Sequence, residues 1–352
     1  MKRPIMFAAI ILASAAFVGV PVTRAMRAVP LEQTSTTTAV TTPTPTIPVI
    51  ELEIVPTPTP EPALPMEPTP TPEPTPEPAQ PFSVVWFSDT QHIVESSAQT
   101  FSGMTQWIAD QQEERNIRFV VHTGDIVNGA TSDWQWKEAA NGFDLLGNIP
   151  FLAIAGNHDV GTSNVNYSNF ERYIASRYDE ETKDLYQHGR GAYGTVETAE
   201  KKYLFIGTGW GYRSSSVEWL NKIISRYVDY DVILCLHSYM NENGELTDGG
   251  DTIFKQVIVP NPNVKMVLCG HRDTTAVKET KLDDNTDGIP DRTVWQLLYD
   301  YQDVRSNERA FGALRVLTVD PVENTVKIET YVPQTSTFLQ EEGEEFTLYD
   351  VF

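Results

Sequence analysis

Four short motifs follow one another in this chain: Ser88-Asp89-Thr90-Gln91, Gly124-Asp125-Ile126-Val127-Asn128, Gly156-Asn157-His158-Asp159 and Gly270-His271-Arg272-Asp273. A lone His237 falls between the last two, and each motif directly follows an apolar, strand-like run. Carboxylate, amide and imidazole groups are the oxygen and nitrogen donors that hold divalent cations. A two-cation site needs a bridging carboxylate, terminal ligands that leave positions open for substrate and water, and a nearby donor for the leaving group. Asp89, Asp125, Asn157, His237 and His271 can supply the cage, and His158 the donor. The chemistry this set points to is metal-assisted phosphoester hydrolysis.

Residues so far apart must be gathered by the elements that carry them. Short apolar runs at 83–87, 117–121 and 151–155 alternate with helical spacing at 98–115, 133–146 and 170–177. A hairpin is expected at 192–196 and 202–206, a helix at 217–227, a buried strand at 232–236, a short helix at 253–259 and another buried strand at 264–269. The remainder reads as strands at 275–281, 293–298, 313–319 and 326–331. Alternating units with a β-rich end predict a layered α/β fold with mixed sheets. Ligands collect where strands end in open α/β sheets, so loops leaving several strands can converge on one cleft.

In order and spacing these motifs resemble the calcineurin-like metallophosphoesterase superfamily, whose pattern is D-x-H, G-D-x-x-D/N, G-N-H-D/E, a lone His, then G-H-x-H. The resemblance covers residues 82–335. It implies a four-layer α/β/β/α sandwich with the cleft at its edge, and two divalent metal ions (Mn, Fe, Mg or Zn). Carried over by position, Asp89 binds the first metal and Asp125 bridges both. Asn157, His237 and His271 bind the second. His158, grouped with Asp159 and Asn128 as catalytic, contacts phosphate and assists the leaving group while a metal-bound hydroxide attacks phosphorus in line.

Three positions depart from that pattern. The His of D-x-H is Gln91, whose carbonyl can ligate as a harder donor than imidazole. His92 is adjacent, but in a strand-like exit it would point the other way. The final His of G-H-x-H is Asp273, a ligand of different reach. Asn128 stands where many relatives have Asp; it can orient His158 by a hydrogen bond but not by charge. Together these changes make the first site oxygen-rich, favouring Mn²⁺, Mg²⁺ or Fe over Zn²⁺. They also leave room for a rival reading, a catalytically weak metal-binding surface or interaction module on the same fold. His122, just before Gly124, reads as support behind the ligands.

Other features bear on ligands. Asp283, Asn285, Asp287 and Asp291 fit the opening of a calcium loop, but its twelfth position is Val294, and an Asp-Gly hairpin turn accounts for the same residues. Arg272 is placed either to meet a phosphate or to make an outward salt bridge. Tyr301-Gln302 is similar to a Tyr-Gln pair in exported members of the superfamily, lining the cleft or packing beside it. Segments 186–191, 210–216 and 239–250 are the candidate specificity loops.

The first 80 residues read differently. Lys2, Arg3, an apolar stretch from Met6 to Val20 and Thr23-Arg24-Ala25 make residues 1–25 a secretory signal, predicting a secreted or cell-surface protein. Residues 26–80 form a linker: 14 of the 24 prolines lie between Pro43 and Pro78, which forbids helix or ladder and favours extended chain. Such a spacer suits a domain, residues 81–352, tethered away from a membrane or cell wall. Removing the signal moves the net charge from −22 to −25. That charge repels long nucleic acids, so the expected partner is a phosphorylated small molecule or surface substrate. Cys235 and Cys269 precede site residues on strands expected to be neighbours; they are either paired or two buried free thiols.

Overall fold

The computed structural model describes residues 80–178, 185–302 and 311–352. The expected signal and, apart from Gln80, the linker lie outside the described residues. The chain divides into two units, Met1–Thr71 and Pro72–Phe352, and everything described belongs to the second.

Its first half runs β1 (Phe82–Phe87), α1 (Gln91–Asp110), β2 (Ile117–His122), α2 (Asp133–Asp144), β3 (Phe151–Ala153), α3 (Asn157–Val160), α4 (Ser168–Tyr173), β4 (Gly191–Glu197) and β5 (Lys202–Thr208). The second half adds α5 (Ser214–Ile224), β6 (Asp231–Leu236), α6 (Asp248–Ile253), β7 (Val264–Cys269), β8 (Thr275–Leu282), β9 (Arg292–Tyr299), β10 (Leu314–Asp320), β11 (Thr325–Val332), β12 (Thr337–Phe338) and β13 (Glu345–Tyr349). One sheet has the order β12-β11-β10-β1-β2-β3, with β13 also on β11; the other runs β4-β5-β6-β7-β9-β8. Both mix parallel and antiparallel pairs.

Alternation along β1 shows how the layers form. Phe82 and Trp86 face the second sheet, meeting Tyr203 and Tyr299 edge-on, and Phe119 of β2 stacks on Phe205 of β5 at 4.5 Å between ring centroids. Phe87 points the other way, to Phe101 of α1 and Phe143 of α2. On the far side of the second sheet, Val217, Leu220, Ile223 and Ile224 of α5 join Ile253 of α6 over Leu204, Leu234 and Val267. The result is helices, sheet, sheet, helices: a mixed α/β sandwich whose inner layer is sealed by aromatic rings.

Three local expectations change. The helix predicted at 98–115 begins at Gln91, because Ser97 (φ −154°, ψ 66°) breaks it into two helical pieces and hides the first piece from periodicity. The short helix predicted at 253–259 starts earlier, at Asp248, where the Thr247 hydroxyl accepts Gly250 N–H at 3.0 Å; residues Phe254–Ile258 continue it as a wider π turn. Cys235 and Cys269 lie on neighbouring parallel strands but are free thiols. Cys235 pairs in register with Leu268, so Cys269 faces the opposite side of the sheet.

Candidate metal centre

The parallel strands β1, β2, β3, β6 and β7 all end on one side, and every motif sits at one of those exits. The turns are tight. Asp89 (φ 53°), Asp125 (φ 54°) and His271 (φ 77°) all occupy left-handed backbone, which non-glycine residues rarely adopt outside sites where the surroundings enforce it. Two glycines make room for the acids. A Cβ on Gly156 would lie 2.0 Å from Asp125 Oδ1, and one on Gly270 would lie 2.1 Å from Asp89 Oδ2.

His237 is the hub. Its Nδ1 donates to the Thr123 carbonyl at 2.9 Å, which turns Nε2 into the cleft. Around Nε2 stand Asn157 Oδ1 at 3.1 Å, His271 Nδ1 at 3.1 Å and Asp125 Oδ2 at 3.3 Å. Asp125, His237 and His271 bring their ligand atoms within 4.8 Å of one another; among the described residues no other group of three His, Cys, Asp or Glu does so. Four lone-pair donors aimed at one point suit a cation. Asp125 Oδ1 meanwhile accepts His158 N–H at 2.8 Å.

The other half is made of oxygens. Asp89 Oδ2 accepts the Ser88 hydroxyl at 2.5 Å and His271 N–H at 2.9 Å. Ser88 is itself held by Thr123, whose hydroxyl takes the Trp86 indole N–H at 3.0 Å. Asp89 Oδ1 and Gln91 Oε1 are both buried with no hydrogen-bond partner. Leaving such a group unsatisfied costs about 1–3 kcal/mol, so two buried unpaired acceptors again fit a cation. Gln91 opens α1 and points inward, whereas His92 turns out to Glu95 at 3.7 Å. The exit is helical, not strand-like, and that is what separates them.

Charge tells the same story. Burial, with the Asp125 carboxylate, raises Asp89 to about 7. Burial also drives Asp300 well above the usual carboxylate range, reinforced by Asp89 and Asp273. Burial opposes charge on His237, but Asp125 and Asp89 outweigh it and hold the ring up at about 10. Against its own burial, Asp125 is kept below the ordinary value chiefly by His237. Crowded carboxylates balanced by one imidazolium proton mark where a metal would stand. Burial and the His237 charge push His271 down to about 4 and His122 down to about 3, so both rings are neutral. His122 accepts Gly124 N–H at Nδ1 and contacts the Thr90 hydroxyl through Nε2, tying the first two motifs together.

The other candidate residues take the following positions. Asp159 does not face the cleft chemistry: it accepts backbone N–H from Ile126 and Val127 at 2.9 Å and Gly156 at 2.8 Å, clamping two loops. The Asn128 side chain donates to Glu95, and its main-chain carbonyl lies 3.3 Å from His158 Nδ1. Asp273 is exposed and outside the ligand cluster. Arg272 is turned toward Glu242 at 3.9 Å on the surface. The Asp283–Asp291 segment is the β8–β9 hairpin loop; Asp283, Asn285, Asp287 and Asp291 all accept N–H groups of the same loop. One contributor carried no sequence signal: Asp300, fully buried at the exit of β9. Trp210, in the expected 210–216 loop, lies 5.3 Å from His271 between ring centroids.

The profile described as "Calcineurin-like phosphoesterase" matches residues 82–272. An uncharacterized protein of Bacillus subtilis (strain 168), YvnB, is 38% identical over 257 residues, which are 72% of this chain and 20% of that one. The chain therefore spans about a fifth of that relative. The fold is similar to a dimetal phosphatase from Danio rerio (TM-score 0.52, 10% identity, 77% of this chain and 99% of that one). It is also similar to the purple acid phosphatase PPD1 from yellow lupin seeds (TM-score 0.50, 13% identity, 78% and 55%). With the profile running from before Asp89 to past His271 and the sandwich shared, the chain belongs to the calcineurin-like phosphoesterase family.

Proposed function

We propose that this chain is a metal-dependent phosphoesterase using two divalent cations. The observation that carries the reading is the convergence of Asn157, Asp125 and His271 on His237 Nε2, beside the partnerless oxygens of Asp89 and Gln91. Asp125, which contacts His237 and interacts electrostatically with Asp89, would suit a bridge. When bound, such cations polarise the phosphoryl group and lower the pKa of water.

The chain's own groups do the rest. His158 is fixed through its backbone N–H to Asp125 and through Nδ1 to the Asn128 carbonyl. Its Nε2 is the free nitrogen; in the imidazolium form it donates to the leaving-group oxygen. Trp210 walls the cleft beside His237 and His271, limiting water on that side. The net negative charge disfavours long polyanions, which supports a phosphorylated small molecule or a surface phosphoester as substrate. The apolar start and proline-rich spacer support an exported domain held at a membrane or wall.

Hydrolysis of p-nitrophenyl phosphate or its bis ester with added Mn²⁺, lost in Asp125→Asn, tests the reading. No turnover of either ester with Mn²⁺, Fe²⁺, Mg²⁺ or Zn²⁺ would sink it. The replaced imidazoles favour a second reading, a metal-binding interaction module; one bound metal and no turnover would support that instead.

A further inference from the structure

The amide that stands where the family has imidazole is not left to choose its own orientation. Gln91 is fully buried, and its Nε2 donates to Gln302 Oε1 at 2.5 Å. Gln302, half-buried, donates in turn through Nε2 to Asp300 Oδ2 at 2.9 Å and through its backbone N–H to Asp300 Oδ1 at 2.8 Å. Asp300 follows β9, which runs parallel to β7, and His271 follows β7. Both Asp300 and Gln302 lie beyond the residues that match the family profile.

We infer that Asp300 and Gln302 are positioning residues that hold Gln91 as an oxygen ligand of the first cation. The inference rests on the two-cation reading above. An amide has two unlike ends, and its neighbours decide which one faces a site. In its ionised form Asp300 accepts at both oxygens, so Gln302 turns its NH₂ toward Asp300 and its oxygen toward Gln91. Gln91 must then present its NH₂ to Gln302, and its carbonyl oxygen faces the cleft with no donor. Asp89 Oδ1, two residues earlier, is a second buried acceptor without a donor. Outer groups that fix a ligand's orientation in this way act on metal affinity as strongly as many direct contacts. Two directed oxygens suit a hard ion such as Mn²⁺.

Mn²⁺ binding to the full chain, by equilibrium dialysis and electron paramagnetic resonance, tests the relay in wild type, Asp300→Asn and Gln302→Leu. Expected are two ions per wild-type chain with a coupled-pair spectrum. In each variant one ion should bind as before, the other at least about tenfold more weakly, and the coupled spectrum should fade. Circular dichroism checks folding; should the buried Asp300→Asn fail to fold, Gln302→Leu at a half-buried position carries the test. Unchanged binding of both ions in the folded variants overturns the relay, as does equal loss of both. A wild type that hydrolyses ester with one ion also overturns it while leaving the hydrolase intact. Two ions, a selective loss in the variants and no hydrolysis would uphold the relay and remove the phosphoesterase reading.

Discussion

Carboxylates crowd two places in this domain, with opposite outcomes. In the hairpin loop after β8, Asp283 accepts N–H from Asp287 and Gly288, Asp291 from Asp284 and Asn285, and Asp287 from Ile289. Asp284 pairs with Arg292 at 2.7 Å. Every acid there is engaged by its own loop or by the first residue of β9. In the cleft, Asp89 keeps a buried oxygen with no donor, and Asp125 aims one at an imidazole nitrogen that also meets Asn157 and His271. In the sequence the hairpin is the richer in acid, with four Asp within residues 283–291 against one in each cleft motif. What separates a turn from a metal centre is whether lone pairs are spent on backbone N–H groups or gathered unspent around a point.

The sharpest break of this comparison is Asp125→Asn. It keeps the side-chain shape but removes the charge shared by both halves, so ester hydrolysis should fall by at least ~100-fold, read by initial rates at saturating Mn²⁺. A tenfold loss or less would make Asp125 an ordinary neighbour.

Asp159→Ala comes next. It strands three buried N–H groups and should cost roughly 3 kcal/mol or more in chemical denaturation. A change under about 1 kcal/mol would mean that water replaces the clamp.

The cleft should also respond to pH. Without metal, Asp89 and Asp159 are raised from 3.8 to about 7, so the folded state holds their protons more tightly than the unfolded state. That contribution is full below about 4 and is lost as pH rises to about 7. For His237, raised from 6.5 to about 10, the loss runs from about 6.5 to about 10. A cation that replaces the Asp89 and His237 protons regains the part of that stability they carried, so the Mn²⁺-induced rise in Tm should be larger at pH 8 than at pH 5.5. Scanning calorimetry with and without chelator measures it, and an equal or smaller rise at pH 8 would contradict the site electrostatics.

The smallest effect is expected from Asp283→Ala. Its bonds are exposed, so stability should drop by only about 0.5–1.5 kcal/mol, with bound Mn²⁺ unchanged. Millimolar calcium should leave the wild-type Tm unaltered; a rise that disappears in Asp283→Ala would turn the hairpin into a second metal loop.

Much of this is legible in the sequence alone. Strand exits carrying Asp89, Asp125, Asn157 and His271 follow from apolar runs that stop at a motif, and the sandwich follows from alternation with a β-rich end. Asp159 shows the limit: a motif names a residue type, but only the path of the 124–128 loop reveals that its carboxylate is consumed by N–H groups. The first turn of α1 was hidden because Ser97 interrupts the helical period, and that turn decides between Gln91 and His92. Asp300 carried no pattern, since a single acid after an apolar strand resembles any strand end until its register beside β7 is known.

The two thiols buried on opposite faces of one sheet have a practical consequence. Neighbouring strands hold them, yet neither can reach the other, and burial raises both, Cys269 to about 12. Acquisition of the native state therefore waits on no oxidant and no disulfide exchange. Dithiothreitol should leave the melting curve unchanged, alkylating reagents should find no target until the chain unfolds, and a host's reducing cytosol is a suitable place to produce the domain for every experiment above.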